Sequence, residues 1–396
     1  MTEKDRDSGT SASPESILTH SGRASEDHLG FVNMPVFRGS TILFRTLDEL
    51  EDYGAPYRYG RNDNPTTLAL GKLVSELEGA EGTVIAPSGL SAVTTAILAT
   101  VAAGDEILIS DSAYDPTRVF SVEGLSRYGI GCRFYDPRIG AGIADLITDR
   151  TKAVYVESPG SLTFEIQDLP AIAAAAHARG ATVISDNSWA TPLYHRPLQL
   201  GADIVVHAAT KMFVGHSDAM VGTASANAAL WPRLKRTHRI LGVATSPDDS
   251  YLTLRGMRTL AVRMKEHGAR SLELAAWLQR QPGVEEVYHP GLPTHPDHDL
   301  FKRDFSGSGS LFAMRLREAP RAAIAAMVNG LQLFGMGYSW GGYESLCIPF
   351  NPSNIRTAVP WDVKGQMFRV HVGLEGFDDL KADMSAALAR YNEASA

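Results

Sequence analysis

From residue 66 to about residue 207, short apolar runs alternate with segments of helical spacing, and this alternation restricts the fold more than any other feature. "LGKLVSELEG" carries helical spacing and stops at Gly79. After it come "TVIAP", a helix from Ser91, "EILIS", a helix after "YDPT", "CRFYD" and "KAVYVES". The alanine-rich helix "LPAIAAAAHARG", "ATVISDN" and "ADIVVHA" complete the series. Strands separated by helical crossovers of this length imply βαβ units, and so a mainly parallel sheet covered on both faces. Ligands of such sheets bind outside the carboxyl ends of the strands. Asp186 ends one apolar run and Lys211 follows the next by three to four residues, which assigns both to the same rim.

The texture changes after about residue 258. A long helical stretch, "LRGMRTLAVRMKEHGARSLELAAWLQRQ", runs into a loop rich in proline and histidine. Strands are expected around "GSLFAMRL" and "FRVHVGLE", with helices around "RAAIAAMV" and "LKADMSAALARY". Three parts are therefore expected: a tail and arm over 1–63, a large α/β domain over 64–258, and a smaller α/β domain over 259–396. Roughly the first dozen residues have the composition of a mobile tail.

Composition removes several function classes. The 396 residues hold 45 acidic and 37 basic side chains, for a formal charge of −8 without a basic block, so no nucleic-acid partner is expected. Two cysteines, Cys132 and Cys347, argue against a disulfide framework and suit a reducing cytosol. The N-terminus lacks the apolar run of a secretory signal, and "LSAVTTAILATVAAG" is too short to span a bilayer. A cytoplasmic protein with no membrane partner is the expectation.

Two motif look-alikes fall away. "IGAGIAD" lacks the third glycine of a dinucleotide fingerprint. "HPGLPTHPDH" brings His289, His295 and His298 together, but its prolines read as a surface loop rather than a rigid metal scaffold, and no metal is expected. "VISDNSWATPL" and "AATKMFVGHSDAM" carry more. Asp186 alone could cap a turn, and Lys211 alone could be an exposed loop lysine. Yet Lys211 lies 25 positions after Asp186, beyond the next strand. A carboxylate and an amine at adjacent strand ends suit pyridoxal phosphate: the carboxylate keeps the pyridine nitrogen protonated, and the amine links to the aldehyde. In "APSGLSAV", Gly89 precedes a helix whose free amides and dipole favour a phosphate, and Thr210 could add a hydroxyl.

With these residues in view, the chain resembles the Cys/Met-metabolism (transsulfuration) family of fold-type I pyridoxal-phosphate enzymes. The resemblance runs from about residue 15 to the C-terminus. It rests on "YGRNDNPT", "APSGLSAV", "SAYDPT", "VESPGS", "SDNSWATP", "AATKMFVGHSD", "YSWGGYES" and "FRVHVGLE". It implies a seven-stranded, mainly parallel sheet in the 64–258 domain. It also implies roles for matching positions. Lys211 would link covalently to the cofactor and move the substrate's α-proton, with Tyr114 and Tyr59 also in the catalytic set. Asp186 would hold the pyridine nitrogen, and Tyr114 would stack on the ring. Gly89, Leu90 and Thr210 would hold the phosphate, joined by Tyr59 and Arg61 of a neighbouring subunit. Arg369 would clamp the substrate carboxylate, with Ser339, Trp340 and Tyr338 lining the same pocket.

The branch of the family most resembled splits carbon–sulfur bonds by β-elimination. Two departures from relatives bear on this: Ala208 stands where many carry a phosphate-binding serine, and Tyr338 stands where γ-eliminating relatives often carry an acid. Gly160-Ser161 also replaces an asparagine-containing turn. The expected reaction converts L-cystathionine to homocysteine, pyruvate and ammonia, as in methionine biosynthesis. A γ-lyase, a broad cysteine-S-conjugate β-lyase, or a cofactor-binding partner without turnover are the alternatives. The resemblance also implies a homotetramer whose active sites are shared between two subunits.

Overall fold

The computed structural model describes residues 12–395. The expected tail, apart from its last residue, lies outside them. The helix Pro65–Glu78 shows why the local sequence folds as it does. Asn64 accepts hydrogen bonds from the amides of Thr66 and Thr67, the Thr67 hydroxyl bonds back, and Pro65 occupies the first turn. Ala69, Leu70, Leu73, Val74 and Leu77 form its buried stripe, and Gly79 ends it at φ +69°.

Seven strands follow the expected alternation: β1 (Gly82–Ala86), β2 (Glu106–Ser110), β3 (Gly131–Tyr135), β4 (Thr151–Glu157), β5 (Thr182–Asp186), β6 (Ile204–His207) and β7 (Gly222–Ala226). Their order is β1-β7-β6-β5-β4-β2-β3. The pairs β2·β3, β2·β4, β4·β5 and β5·β6 are parallel, whereas β7 is antiparallel to both its neighbours. Both faces of the sheet's central strands are covered. Ile107, Ile109, Tyr155, Ile184 and Val206 pack with the helix Gly89–Leu98 on one side. Leu108, Val154, Val156, Val183 and Val205 pack with the helix Leu169–Ala178 on the other. Alternate residues of each apolar run thus serve opposite layers.

The C-terminal region forms an antiparallel sheet of β8 (Val284–Tyr288), β9 (Leu311–Leu316), β10 (Leu346–Phe350) and β11 (Gln366–His371), ordered β10-β11-β9-β8. The helices Arg321–Asn329 and Phe377–Ala394 fall where the sequence places them. The long helical stretch is instead two helices, Pro247–Met257 and Leu260–Leu278, broken at Arg258-Thr259. A buried carboxylate ties the two sheets together. Asp111, just past β2, pairs with Arg118 and accepts from the backbone amides of Thr357, Ala358 and Val359.

The histidine-rich segment departs from the expected surface loop. His289 and His295 are buried. His289 accepts from the Gly291 amide and contacts the Ser271 hydroxyl, while His295 accepts from the Asp297 amide. The prolines shape turns that fold these rings inward, and the His289 ring packs beside Trp189 and Phe312. Among the described residues, no group of three or more His, Cys, Asp or Glu is placed to hold a metal ion. No helix among them is long and apolar enough to cross a membrane.

Candidate active site

Parallel strands bring two carboxyl groups together at one rim. Glu157 closes β4 and Asp186 closes β5, and the two are partners in register. Protein packs densely around both, and each keeps a face open to the cleft. Burial pushes both above the usual carboxylate range. Asp186 is steadied as an anion by the Ser188 amide at 2.8 Å, the Tyr155 hydroxyl at 3.2 Å and nearby His207. Among the described residues Glu157 accepts only from the Tyr114 amide, at 2.8 Å, and burial together with the Asp186 charge pushes it well above the usual carboxylate value. Of the two, Glu157 is the more readily protonated and Asp186 the better-supported anion.

Lys211 follows β6 by four residues. The intervening turn is closed by its own amide donating to Ala208 O at 2.9 Å, and by three bonds between Thr210 and Val221. Burial and the repulsion of Arg369 lower the Lys211 amine to about 8, against the pull of Asp186. Its Nζ donates to Ser339 Oγ at 2.8 Å and lies 5.5 Å from the Trp340 ring centre. At a pKa near 8, roughly a tenth of such amines are neutral at pH 7, which is what a proton acceptor at this position needs.

Arg369 enters from β11 and is only 7% exposed. One terminal nitrogen donates to Gly337 O at 2.9 Å and to Ser339 O at 3.0 Å, while its buried Nε has no partner among the described residues. Burial lowers the guanidinium to about 10. An unpaired buried donor on a planar fork is suited to a carboxylate.

The residues at the rim fit pyridoxal phosphate. Gly89 and Leu90 open the helix Gly89–Leu98, whose first amides have no helical acceptor, and Ser88 caps only the Ser91 amide. A Cβ at Gly89 would lie 2.6 Å from that of Ala208, so the phosphate-side turn packs directly against the lysine-bearing one. Tyr114 is half exposed at the start of the helix Asp115–Val119, and its electrostatic neighbours are Glu157, Arg369 and Asp186. Lys211, Asp186, Tyr114, Arg369, Ser339 and Trp340 thus gather at one place, with Tyr338 fully at the surface beside them.

Tyr59 and Arg61 do not join them within the chain. Among the described contacts, Arg61 lies over the Tyr59 ring and donates to Arg239 O at 3.3 Å, next to the Asp63–Arg239 ion pair. Sequence reasoning also left Glu157 and Tyr155 without roles. The glutamate stands next to last in "KAVYVES", one strand over from Asp186.

A lysine, a carboxylate and a helix N-terminus around one strand-end cleft are the layout of a pyridoxal-phosphate enzyme. The sequence matches the Cys/Met metabolism PLP-dependent enzyme family over residues 15–389, and the chain belongs to that family. A Rhizobium johnstonii protein is 46% identical over 98% of each chain. A Salmonella typhimurium protein named cystathionine beta-lyase is 41% identical over 94% of this chain and 97% of its own length. The solved structure of a cystathionine gamma synthase from Xanthomonas oryzae pv. oryzae, in complex with aminoacrylate and cysteine, superposes with a TM-score of 0.90. It is 30% identical and covers 97% of this chain and 100% of its own.

Proposed function

We propose that this pyridoxal-phosphate carbon–sulfur lyase acts by β-elimination on L-cystathionine, releasing homocysteine, pyruvate and ammonia in the cytoplasm. The observation that carries the reading is the joint placement of Lys211, with its amine lowered to about 8, beside Arg369, with its buried unpaired Nε. Arg369 binds the substrate carboxylate and so orients the amino acid with its Cα facing Lys211. Lys211 takes the Cα proton, and the bond between Cβ and sulfur breaks with the electron pair leaving on the thiolate. The cofactor, when bound, supplies the electron sink for the pair at Cα, and the Asp186 carboxylate keeps that sink charged. Water then hydrolyses the released enamine to pyruvate and ammonia.

The choice of β- over γ-elimination is supported by Tyr338, 91% exposed beside Ser339 where γ-eliminating relatives often carry an acid, and by the Gly160-Ser161 turn. The name of the Salmonella relative points the same way. The test is the product pair from cystathionine. Pyruvate with homocysteine is expected; mainly 2-oxobutyrate with cysteine would reverse the assignment.

The working unit in this reading is a homotetramer in which Tyr59 and Arg61 reach the phosphate bound by a neighbouring subunit. Two features support it: their own-chain contacts lie away from Lys211, and the arm that carries them exposes apolar side chains.

A further inference from the structure

Residues 337–344 form a strap that carries Tyr338, Ser339 and Trp340 over Lys211. It rests on the lysine directly: Gly341 has φ +87°, and a Cβ there would lie 2.9 Å from the Lys211 carbonyl carbon. Such an approach tolerates no side chain. Ser339 and Trp340, on the preceding two positions, contact the Lys211 amine. Whatever fixes the height of the strap therefore also fixes the surroundings of that amine.

Four anchors hold it, one of them the Leu374 amide donating to Tyr343 O at 2.8 Å. The Ser217 hydroxyl donates to Glu344 at 2.6 Å at one end. Arg369 holds the carbonyls of Gly337 and Ser339 at the other. Between them lies His371, two residues beyond Arg369 and hence on the same face of β11. Its Nε2 stands 3.2 Å from both the Gly341 amide and the Gly342 carbonyl, and its Nδ1 is 2.8 Å from Ser310 Oγ. With Nδ1 protonated, Nε2 accepts from Gly341 and Nδ1–H donates to Ser310. In the other tautomer, Nε2–H donates to Gly342 and Nδ1 accepts from Ser310. Either way the ring joins the strap to β9's approach, and both partners are buried. Burial and the neighbouring His267 push His371 down to about 3, so the ring stays neutral across the working range.

We propose that His371 is a positioning residue of the active site: by bonding the strap at Gly341–Gly342 from beneath, it sets where Ser339 and Trp340 meet the Lys211 amine. Arg369 cannot serve this purpose alone, because its fork is also the group facing the substrate carboxylate. This inference rests on the assignment of Lys211 as the proton-moving group.

Two substitutions separate the ends of the imidazole. His371→Asn keeps an atom near the Nδ1 position, against Ser310, but is too short to reach the strap. His371→Gln reaches the Nε2 position and restores that bond while losing the other. In the cofactor-loaded enzyme, His371→Asn should raise amide exchange in residues 337–344 about tenfold and lower kcat by a similar factor, with KM changed less than about threefold. His371→Gln should bring exchange and kcat back to within about threefold of the parent. Unchanged strap exchange in His371→Asn, or equal impairment of both variants, would overturn the proposal and reduce His371 to a core residue. The exchange measurement does not depend on which bond is cleaved. A parent enzyme that released 2-oxobutyrate would defeat the β-elimination reading and leave the strap result standing.

Discussion

The strand-end rim and the N-terminal arm are built on opposite terms. At the rim, every element is paid for by its own chain: β4, β5 and β6 are buried on both faces, and Asp186 and Lys211 are held by backbone bonds at or below about 3 Å. The arm begins in the same style, with Leu18 of the helix Pro14–His20 buried against Leu70 and Leu73. Farther along it leaves apolar side chains in water, with Leu29 93% exposed, Leu43 88% and Tyr53 85%. Its ties to the body are few, chiefly the Thr66 hydroxyl donating to Pro35 O at 2.9 Å and the Arg38–Asp248 ion pair. A stretch of exposed apolar surface on this scale marks a region that something else covers. The lesson is that one chain suffices to bring Lys211, Asp186 and Arg369 together but leaves Tyr59 and Arg61, the residues proposed to serve a neighbour's phosphate, exposed.

Removing the lysine at the rim should therefore be the most damaging single change. Lys211→Ala should fold normally, lose the visible band of the bound cofactor's covalent link, and lose at least about a thousandfold in turnover. Normal steady-state activity in that variant would break the rim's half of the comparison.

Within the rim, the two carboxyl groups should respond unequally. Glu157 is the more readily protonated of the two, so Glu157→Gln should change kcat less than about threefold, whereas Asp186→Asn removes the charge and should cost about a hundredfold or more. Equal losses would show that both groups, or neither, carry the charge. Arg369→Leu should leave cofactor loading intact and lower kcat/KM about thirtyfold or more, the scale of a lost buried carboxylate pair. A change within about twofold would mean that another group binds the carboxylate.

Much of the rim is legible in the sequence because buried parallel strands read as apolar runs and their ends carry the odd polar residue. β7 is not, since "GTASA" has neither apolar bulk nor alternation. Its small residues are there for contact: a Cβ at Gly222 would lie 2.1 Å from Ser88 O, beside the helix Gly89–Leu98. β8 and β10 are equally hard to read, as "VEEVY" and "LCIPF" mix charge or proline into short runs. Glu157 escapes notice for a different reason. Its role depends on register with Asp186, a relation between strands that no single segment displays. His371 likewise gains meaning only from the strap folded above it. The buried histidines of "HPGLPTHPDH" mislead because proline marks turns without saying which way they face.

The arm is the part whose role in the sequence came only from resemblance, and mixing subunits tests it most directly. Lys211→Ala chains carry a sound arm, and Arg61→Ala chains carry a sound lysine. Each variant alone should be nearly inactive. When equal amounts are dissociated and re-associated at random, half the pairs are hybrids and each hybrid has one whole site, so about a quarter of the parental activity should return. No recovery, with hybrid formation confirmed independently, would show that the arm serves its own chain and would contradict the shared site.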